Sequence, residues 1–463
     1  MTVLLFPLVK WYVFRYIGHA TVLIDDSPFL EHTILDRLPL EIYGEIFSHC
    51  PTDFPQIGAQ VPPLTLALVC KAWYYLVVGT PCLWSRFELA LEGTGSSQQE
   101  QDETKKRLLL WLHRSRQQPL SFRIIHDCLG VVPDFRSAEL LELLLPHAPR
   151  WKYVCLRGPG TNLVSLQGQR TRGSLRALES VSLQLSDPWD RYFDVSQIDI
   201  PWPQLSALDL QFHQENVLSF NECFNILSAT QKLTSCTLNV DCSFPLSHNT
   251  GRIVLPSLRS LKLIIQGIDS VGKAGTNLIG FLDRLSLTDL RAFQLEWLVE
   301  SVQGGADQQQ WAVHSQLTRF IQSSASSLEH LGFAYLPLRD HEIIACLKGL
   351  YKLRRLDLKY ALTSRWPDPI TNVLLQYLTP EKSSQENHGS TNACLPLLRA
   401  LKLQCSGEYL NQPLLLALVE GRAAQELREL EIFTLKCLTK SIKDGIETWE
   451  SRLKFTASTL YVR

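Results

Sequence analysis

The chain has 463 residues, 45% of them hydrophobic and 20% charged, a balance that excludes disorder along its whole length. Lys and Arg number 45 against 46 Asp and Glu, and a net charge of −1 excludes a protein built mainly to neutralise nucleic-acid phosphates. Leucine is the anomaly: 82 residues, close to one in six, an excess that points to a repeating architecture.

Residues 1–33 read as an apolar N-terminal extension. Pro7, Lys10, Arg15 and His19 interrupt it. Its longest clean apolar run falls short of the roughly 20 residues a bilayer needs, and no basic stretch precedes it. Neither a membrane span nor a signal peptide is therefore expected. The twelve cysteines are scattered, form no CxxC pair and sit mostly inside apolar runs, and no N-x-[ST] acceptor occurs. That usage points to a reducing compartment, cytoplasmic or nuclear.

Residues 34–91 form a separate small unit. "ILDRLPLEIYGEIFSHC" predicts a helix with Asp36 as its N-cap and Pro39 in its first turn. Leu38, Ile42 and Ile46 share one face; Tyr43 and Phe47 share the adjacent one. The Pro-rich bridge "PTDFPQIGAQVPP" leads to "LTLALVCKAWYYLVVGTPCLW", two short helical runs with apolar residues nearly all round. A segment of about 55 residues buries little by itself, so apolar residues on several faces imply a partner that completes the surface.

These residues carry a resemblance. "LPLEIYGEIF" resembles the opening of an F-box, and "LALVCKAWYYLVVGTPCLW" resembles its second half. The long Pro-containing bridge is similar to that of many fungal F-box proteins, as are "WLHRSRQQPLSFRI" and "LLELLLPHAPRWKYVCL" further on. The resemblance covers residues 34–156 and implies docking on the Skp-family adaptor of a cullin-RING (SCF-type) ubiquitin ligase. The implied docking residues are Leu38, Pro39, Ile42, Ile46 and Phe47, then Leu68, Val69, Cys70, Trp73 and Trp84. Trp73 and Trp84 equally suit the core of the box itself, because a mini-domain keeps its large aromatics inside.

The polar stretch 92–107 reads as a domain linker. Residues 108–150 read as capping helices. In "KKRLLLWLHRSR", Leu108, Leu109, Trp111 and Leu112 are expected to turn inward beneath a solvated basic face and to close the end of the repeats.

Residues 151–463 repeat. The pattern Leu-x-x-Leu-x-Leu, with apolar substitutes, starts at positions 151, 178, 205, 233, 258, 290, 328, 353, 398 and 427. The two longest steps contain the polar stretches 300–310 and 381–393, which read as insertions. Within each motif the fourth and sixth positions alternate inward as in a short strand. Between motifs lie helix-period stripes: Phe220, Phe224 and Leu227; Leu278, Leu282 and Leu285; Ile343, Ile344 and Leu347; Leu414, Leu415, Leu418 and Val419. A strand and a helix every 25–30 residues is the leucine-rich-repeat signature, and no single unit buries both its faces without stacking. The expected fold class is α/β: a small α-helical F-box followed by an irregular leucine-rich-repeat solenoid, a horseshoe of about ten strand–helix repeats.

In such repeats the residues between the inward leucines line the concave surface. The charged ones are Arg157, Lys262, Arg355, Lys359 and Lys402 against Asp209, Glu296, Asp357, Glu429 and Glu431. Five against five gives no single-sign field, so the expected ligand is a protein target of mixed charge. No catalytic motif, metal-ligand set or cofactor box is found. Gly267, Gly272 and Lys273 match P-loop spacing, but Ala274 stands where the metal-binding hydroxyl belongs. The sequence thus reads as a non-catalytic ligase adaptor that needs no cofactor, binds no nucleic acid and holds an unidentified protein substrate on its repeats.

Overall fold

The structure, a computed structural model, describes residues 39–50, 53–58, 61–92, 97–127, 136–167, 173–185, 195–212, 217–247, 251–266, 271–298, 314–360, 368–380, 394–407, 410–434, 438–449 and 453–459. The extension 1–33, Leu38 and the insertions 300–310 and 381–393 lie outside them. The chain divides into two compact units that meet between Lys152 and Tyr153.

The first unit opens with helices α1 (Leu40–Ser48), α2 (Leu64–Ala67) and α3 (Lys71–Gly79) and a 3₁₀ turn over Pro81–Trp84. Pro39, and not the expected Asp36, is the N-cap of α1, and no side chain caps the helix there. Tyr43 and Phe47 are buried beneath α1, and the Phe47 ring meets Trp73 of α3 at 4.7 Å. Strand β1 (Arg86–Glu92) then pairs in parallel with β2 (Leu120–Asp127), setting Phe87 beside Phe122 and Leu89 beside Ile124. Helices α4 (Gln98–Arg114) and α5 (Arg136–Leu144) complete the unit. The edges of Trp84 and Phe87 meet Trp111 of α4 at centroid distances of 5.1 and 6.0 Å. Part of the Pro-rich bridge runs along β1. Gln56 pairs with Glu88, the Ile57 N–H donates to the Glu88 carbonyl and the Glu88 N–H donates to that of Pro55.

Two expectations are corrected here. The stretch 92–107 is not a linker throughout, because α4 begins at Gln98 inside it. Ser97 accepts a hydrogen bond from the Glu100 N–H and Glu100 accepts one from the Ser97 N–H, a reciprocal cap that starts a helix its own apolar half then anchors. Replacing Ser97 by alanine is expected to cost about 1 kcal/mol in a urea unfolding curve. Second, 108–150 is not wholly helical. Leu120, Phe122, Ile124 and His126 alternate inward and make β2, while Leu109 of α4 is 49% exposed rather than turned in.

The second unit is α/β. The ten motifs form β3 (Trp151–Gly158), β4 (Ser180–Leu185), β5 (Ala207–Gln211), β7 (Ser235–Asp241), β9 (Ser260–Gln266), β11 (Ala292–Trp297), β12 (His330–Ala334), β13 (Arg355–Lys359), β14 (Ala400–Cys405) and β15 (Glu429–Thr434). They lie side by side in that order in one long parallel sheet, and β16 (Lys454–Thr459) follows β15. The short β6 (Leu218–Ser219) joins β7; β8 (Ile253–Val254) and β10 (Leu285–Ser286) pair apart from it. Leu285 is thus a strand residue, not the third member of a helical stripe.

Helices α6 (Phe220–Ala229), α7 (Val271–Leu282), α8 (His314–Ser323), α9 (Asp340–Leu347), α10 (Asn372–Leu378), α11 (Gln412–Ala423) and α12 (Lys440–Glu447) lie in the connections from β6 onward, except between β7 and β9, where the described residues form only β8. Between β3 and β5 the described connections are 3₁₀ turns instead. The register stacks equivalent motif positions. The fourth-position ladder runs through Leu208, Cys236, Leu261, Phe293, Leu331 and Leu356, and the sixth through Leu210, Leu238, Leu263, Leu295, Phe333 and Leu358. All of these are at most 2% exposed. Burying each such side chain is worth about 1.5–3 kcal/mol, and every rung needs its neighbours to exclude water.

Candidate functional site

Two surfaces carry the residues that the sequence singles out. The first lies on α1–α3. Ile42 and Ile46, one turn apart on α1, are 45% and 46% exposed. Leu68 and Val69, in the turn between α2 and α3, are 54% and 48% exposed, and Tyr75 is exposed as well. Pro39 is exposed and Cys70 and Trp73 are half-buried. Phe47 and Trp84 are buried. The Trp84 indole N–H donates to the Val77 carbonyl at 2.8 Å, and the Arg114 guanidinium lies 4.4 Å over its ring. The docking set implied by the resemblance therefore divides: Pro39, Ile42, Ile46, Leu68 and Val69 face outward, while Phe47 and Trp84 hold the unit together.

The second surface is the face of the parallel sheet turned away from its buried ladders. Its central row runs through Ser182, Asp209, Thr237, Lys262, Gln294, Gly332, Asp357, Lys402 and Glu431. Most of its charges pair with one another. Lys262 meets Glu296 at 3.1 Å, and Arg355 meets Asp357 at 3.0 Å and Glu429 at 3.4 Å. His330 Nε2 lies 2.9 Å from Asp357, and Lys402 pairs with Glu431 while resting 5.0 Å over the Phe433 ring. Asp209 differs. It accepts hydrogen bonds from Ser182 Oγ, Gln184 Nε2 and Gln211 Nε2, each at 2.8 Å, and has no basic partner among the described residues. Lys359 has no carboxylate partner among them. Arg157 is exposed at the β3 end. The sequence located these side chains, but which were paired was not legible in it.

Burial alone would raise the Asp357 carboxyl, but hydrogen bonds from His330 and Arg355 outweigh it and hold it below the usual carboxylate range. A depressed folded-state pKa gives stability that is present above the unfolded value and lost as pH falls through the folded one. Asp357→Asn is expected to flatten the loss of melting temperature between about pH 5 and pH 3, where the native protein gives up this contribution.

Elsewhere the chemistry is sparse. A cavity of about 220 Å³ in the first unit is lined by Glu100, Thr104, Lys105, Arg136 and Glu139, with Lys105 and Glu139 paired at 2.7 Å; sequence reading had not singled it out. Burial pushes the Cys223, Cys236 and Cys242 thiols upward, away from reactive thiolates. Lys273 and Ala274 lie in the first turn of α7, and Ala274 is buried. Among the described residues no group of His, Cys, Asp and Glu is arranged to hold a metal ion, and no helix is long and apolar enough to cross a membrane.

No family profile matches the chain, and no curated protein matches it. Among solved structures it is similar to a chain described as "Crystal structure of Rad7 and Elc1 complex in yeast", with 15% identity and a TM-score of 0.44. The alignment covers 81% of this chain and 76% of that one.

Proposed function

We propose that this protein is an F-box substrate adaptor of an SCF-type ubiquitin ligase. Helices α1–α3 dock the Skp-family adaptor and through it the cullin core, and the leucine-rich repeats of the second unit present a target protein. It is itself non-catalytic, since ubiquitin transfer by the other subunits needs only the proximity that it supplies. The carrying observation is the outward placement of Ile42, Ile46, Leu68 and Val69. They stand where the F-box pattern assigns docking, on a unit whose interior is already filled by Tyr43, Phe47 and Trp84. Exposed apolar side chains clustered on short helices mark a partner surface. A cytoplasmic or nuclear location accords with this role.

Co-expression with a Skp-family adaptor followed by size-exclusion chromatography tests the reading. A 1:1 peak is expected, and it should be lost in Ile42→Asp/Ile46→Asp and in Leu38→Ala/Pro39→Ala. Separate elution of the two folded proteins overturns it and leaves a repeat scaffold that works outside a ligase.

A further inference from the structure

On the open face of the β3–β16 sheet, ion pairing has absorbed Lys262, Glu296, Arg355, Asp357, Lys402, Glu429 and Glu431. Among the described residues of β4–β15, two charges in the two central rows of this face stand outside that network: Asp209 on β5 and Lys359 on β13. We infer that they are the two electrostatic anchors for an extended segment of a target protein, with a basic side chain received by Asp209 and an acidic one by Lys359. This rests on the reading of the sheet face as the target-binding surface and specifies the segment it takes.

Asp209 is prepared for a cation without being neutralised by one. Three neutral donors, from Ser182, Gln184 and Gln211, fix both carboxylate oxygens. An oriented carboxylate loses little freedom when an ammonium or guanidinium arrives, and a charge-assisted bond is stronger than the neutral ones around it. Lys359 lies between Ala334 on β12 and Gln404 on β14 in the register, neither of which carries charge. The pairs between the two sites are already satisfied. A wrong-sign residue at either anchor therefore meets an uncompensated like charge, whereas elsewhere it meets a neutral pair.

Spacing makes the inference quantitative. From β5 the sheet order passes β7, β9, β11 and β12 before β13. Five inter-strand steps of about 4.8 Å place the anchors about 24 Å apart. An extended chain rises about 3.3 Å per residue, so the two charges of the segment lie about seven residues apart.

The test selects a randomised display library of dodecamer peptides against the purified full-length protein. The enriched peptides should share Lys or Arg about seven positions from Asp or Glu. The best synthetic peptide should bind about tenfold more weakly to Asp209→Asn and to Lys359→Gln, each losing one charge pair. The melting temperature should be unchanged for Lys359→Gln and lowered for Asp209→Asn, whose amide nitrogen meets a donor, while its unfolding stays cooperative. The Asp209→Lys/Lys359→Glu protein should instead prefer the peptide with its two charges exchanged. Enriched peptides without this spacing, affinity unmoved by both single substitutions, or no enrichment at all would overturn the inference. Co-elution with the Skp-family adaptor is read on the same preparations. Its loss with peptide binding intact counts against ligase assembly alone, because that contact depends on α1–α3.

Discussion

Replacing Arg422 by methionine is expected to lower the unfolding free energy by about 4 kcal/mol, the scale of leaving three buried carbonyls without the donor that they share. Arg422, on α11, is 2% exposed and has no carboxylate partner among the described residues. Its guanidinium donates from Nε to the Leu378 carbonyl at 2.8 Å, from Nη1 to that of Leu395 at 2.8 Å and from Nη2 to that of Cys394 at 2.7 Å. Leu378 ends α10, while Cys394 and Leu395 lead into β14, so one side chain ties together both flanks of the 381–393 insertion. Leu395 has a φ of +50°, a conformation that costs a non-glycine residue about 1–2 kcal/mol unless its surroundings hold it. The planar fork reaches three acceptors at once, which lysine does not, so Arg422→Lys should recover only a minor part of the loss. Urea unfolding measures the cost, and hydrogen exchange should quicken first at the amides of α10 and β14. A change below about 1 kcal/mol for methionine would show that the three carbonyls find other partners.

Trp84→Ala is expected to cost about 4 kcal/mol and to abolish adaptor association as a secondary effect. Trp84 is fully buried, and its ring and indole N–H join α3, the Pro81–Trp84 turn and α4. Removing it leaves a cavity where α3, the turn and α4 meet, and takes from the Val77 carbonyl one of its two donors, the other being the Thr80 N–H. Ile46→Ala should do the reverse, changing stability by no more than about 0.5 kcal/mol while weakening association, because a 46% exposed side chain contributes little to the fold. Urea unfolding and size-exclusion chromatography on the same two variants separate the roles. Equal stability losses would place Ile46 in the interior and remove it from the docking surface.

Much of the second unit was legible because its physics is periodic. Each Leu-x-x-Leu-x-Leu marks a strand whose three apolar positions must all be buried, and the steps between motifs absorbed the insertions without losing the pattern. Strand β2 escaped because Pro119 stands where the leading leucine belongs, and β1 escaped although Trp84, Phe87 and Leu89 hold the three apolar positions of the motif, because they lie in the stretch assigned to the small helical unit. Their signal was plain alternation, Phe87 with Leu89 and Leu120 with Phe122 and Ile124, inside segments read as helical. Polar composition masked the start of α4, although Ser97 and Glu100 stand at the three-residue spacing of a reciprocal helix cap. On the first surface, helical spacing separated Ile42 and Ile46 from Tyr43 and Phe47. It did not place Trp84, whose burial depends on Trp111 and Arg114, about 30 residues downstream. On the second surface, alternation told which charges share a face, but ion pairing across strands depends on rotamers that no spacing encodes.

The segment Pro55–Ile57 has a consequence for how this protein behaves at high concentration. A parallel sheet that stops at a bare strand offers its unused amides and carbonyls to any other extended chain, and a second molecule is the nearest supply. Here the outward N–H and C=O of Glu88 are already taken by residues of the same polypeptide. The covering segment begins with Pro55, which has no N–H with which to recruit another strand. Self-association by strand addition is thus obstructed at β1 by a stopper that the chain supplies to itself, and the Pro-rich bridge, a connector in the sequence, acts as a guard against fibrous assembly.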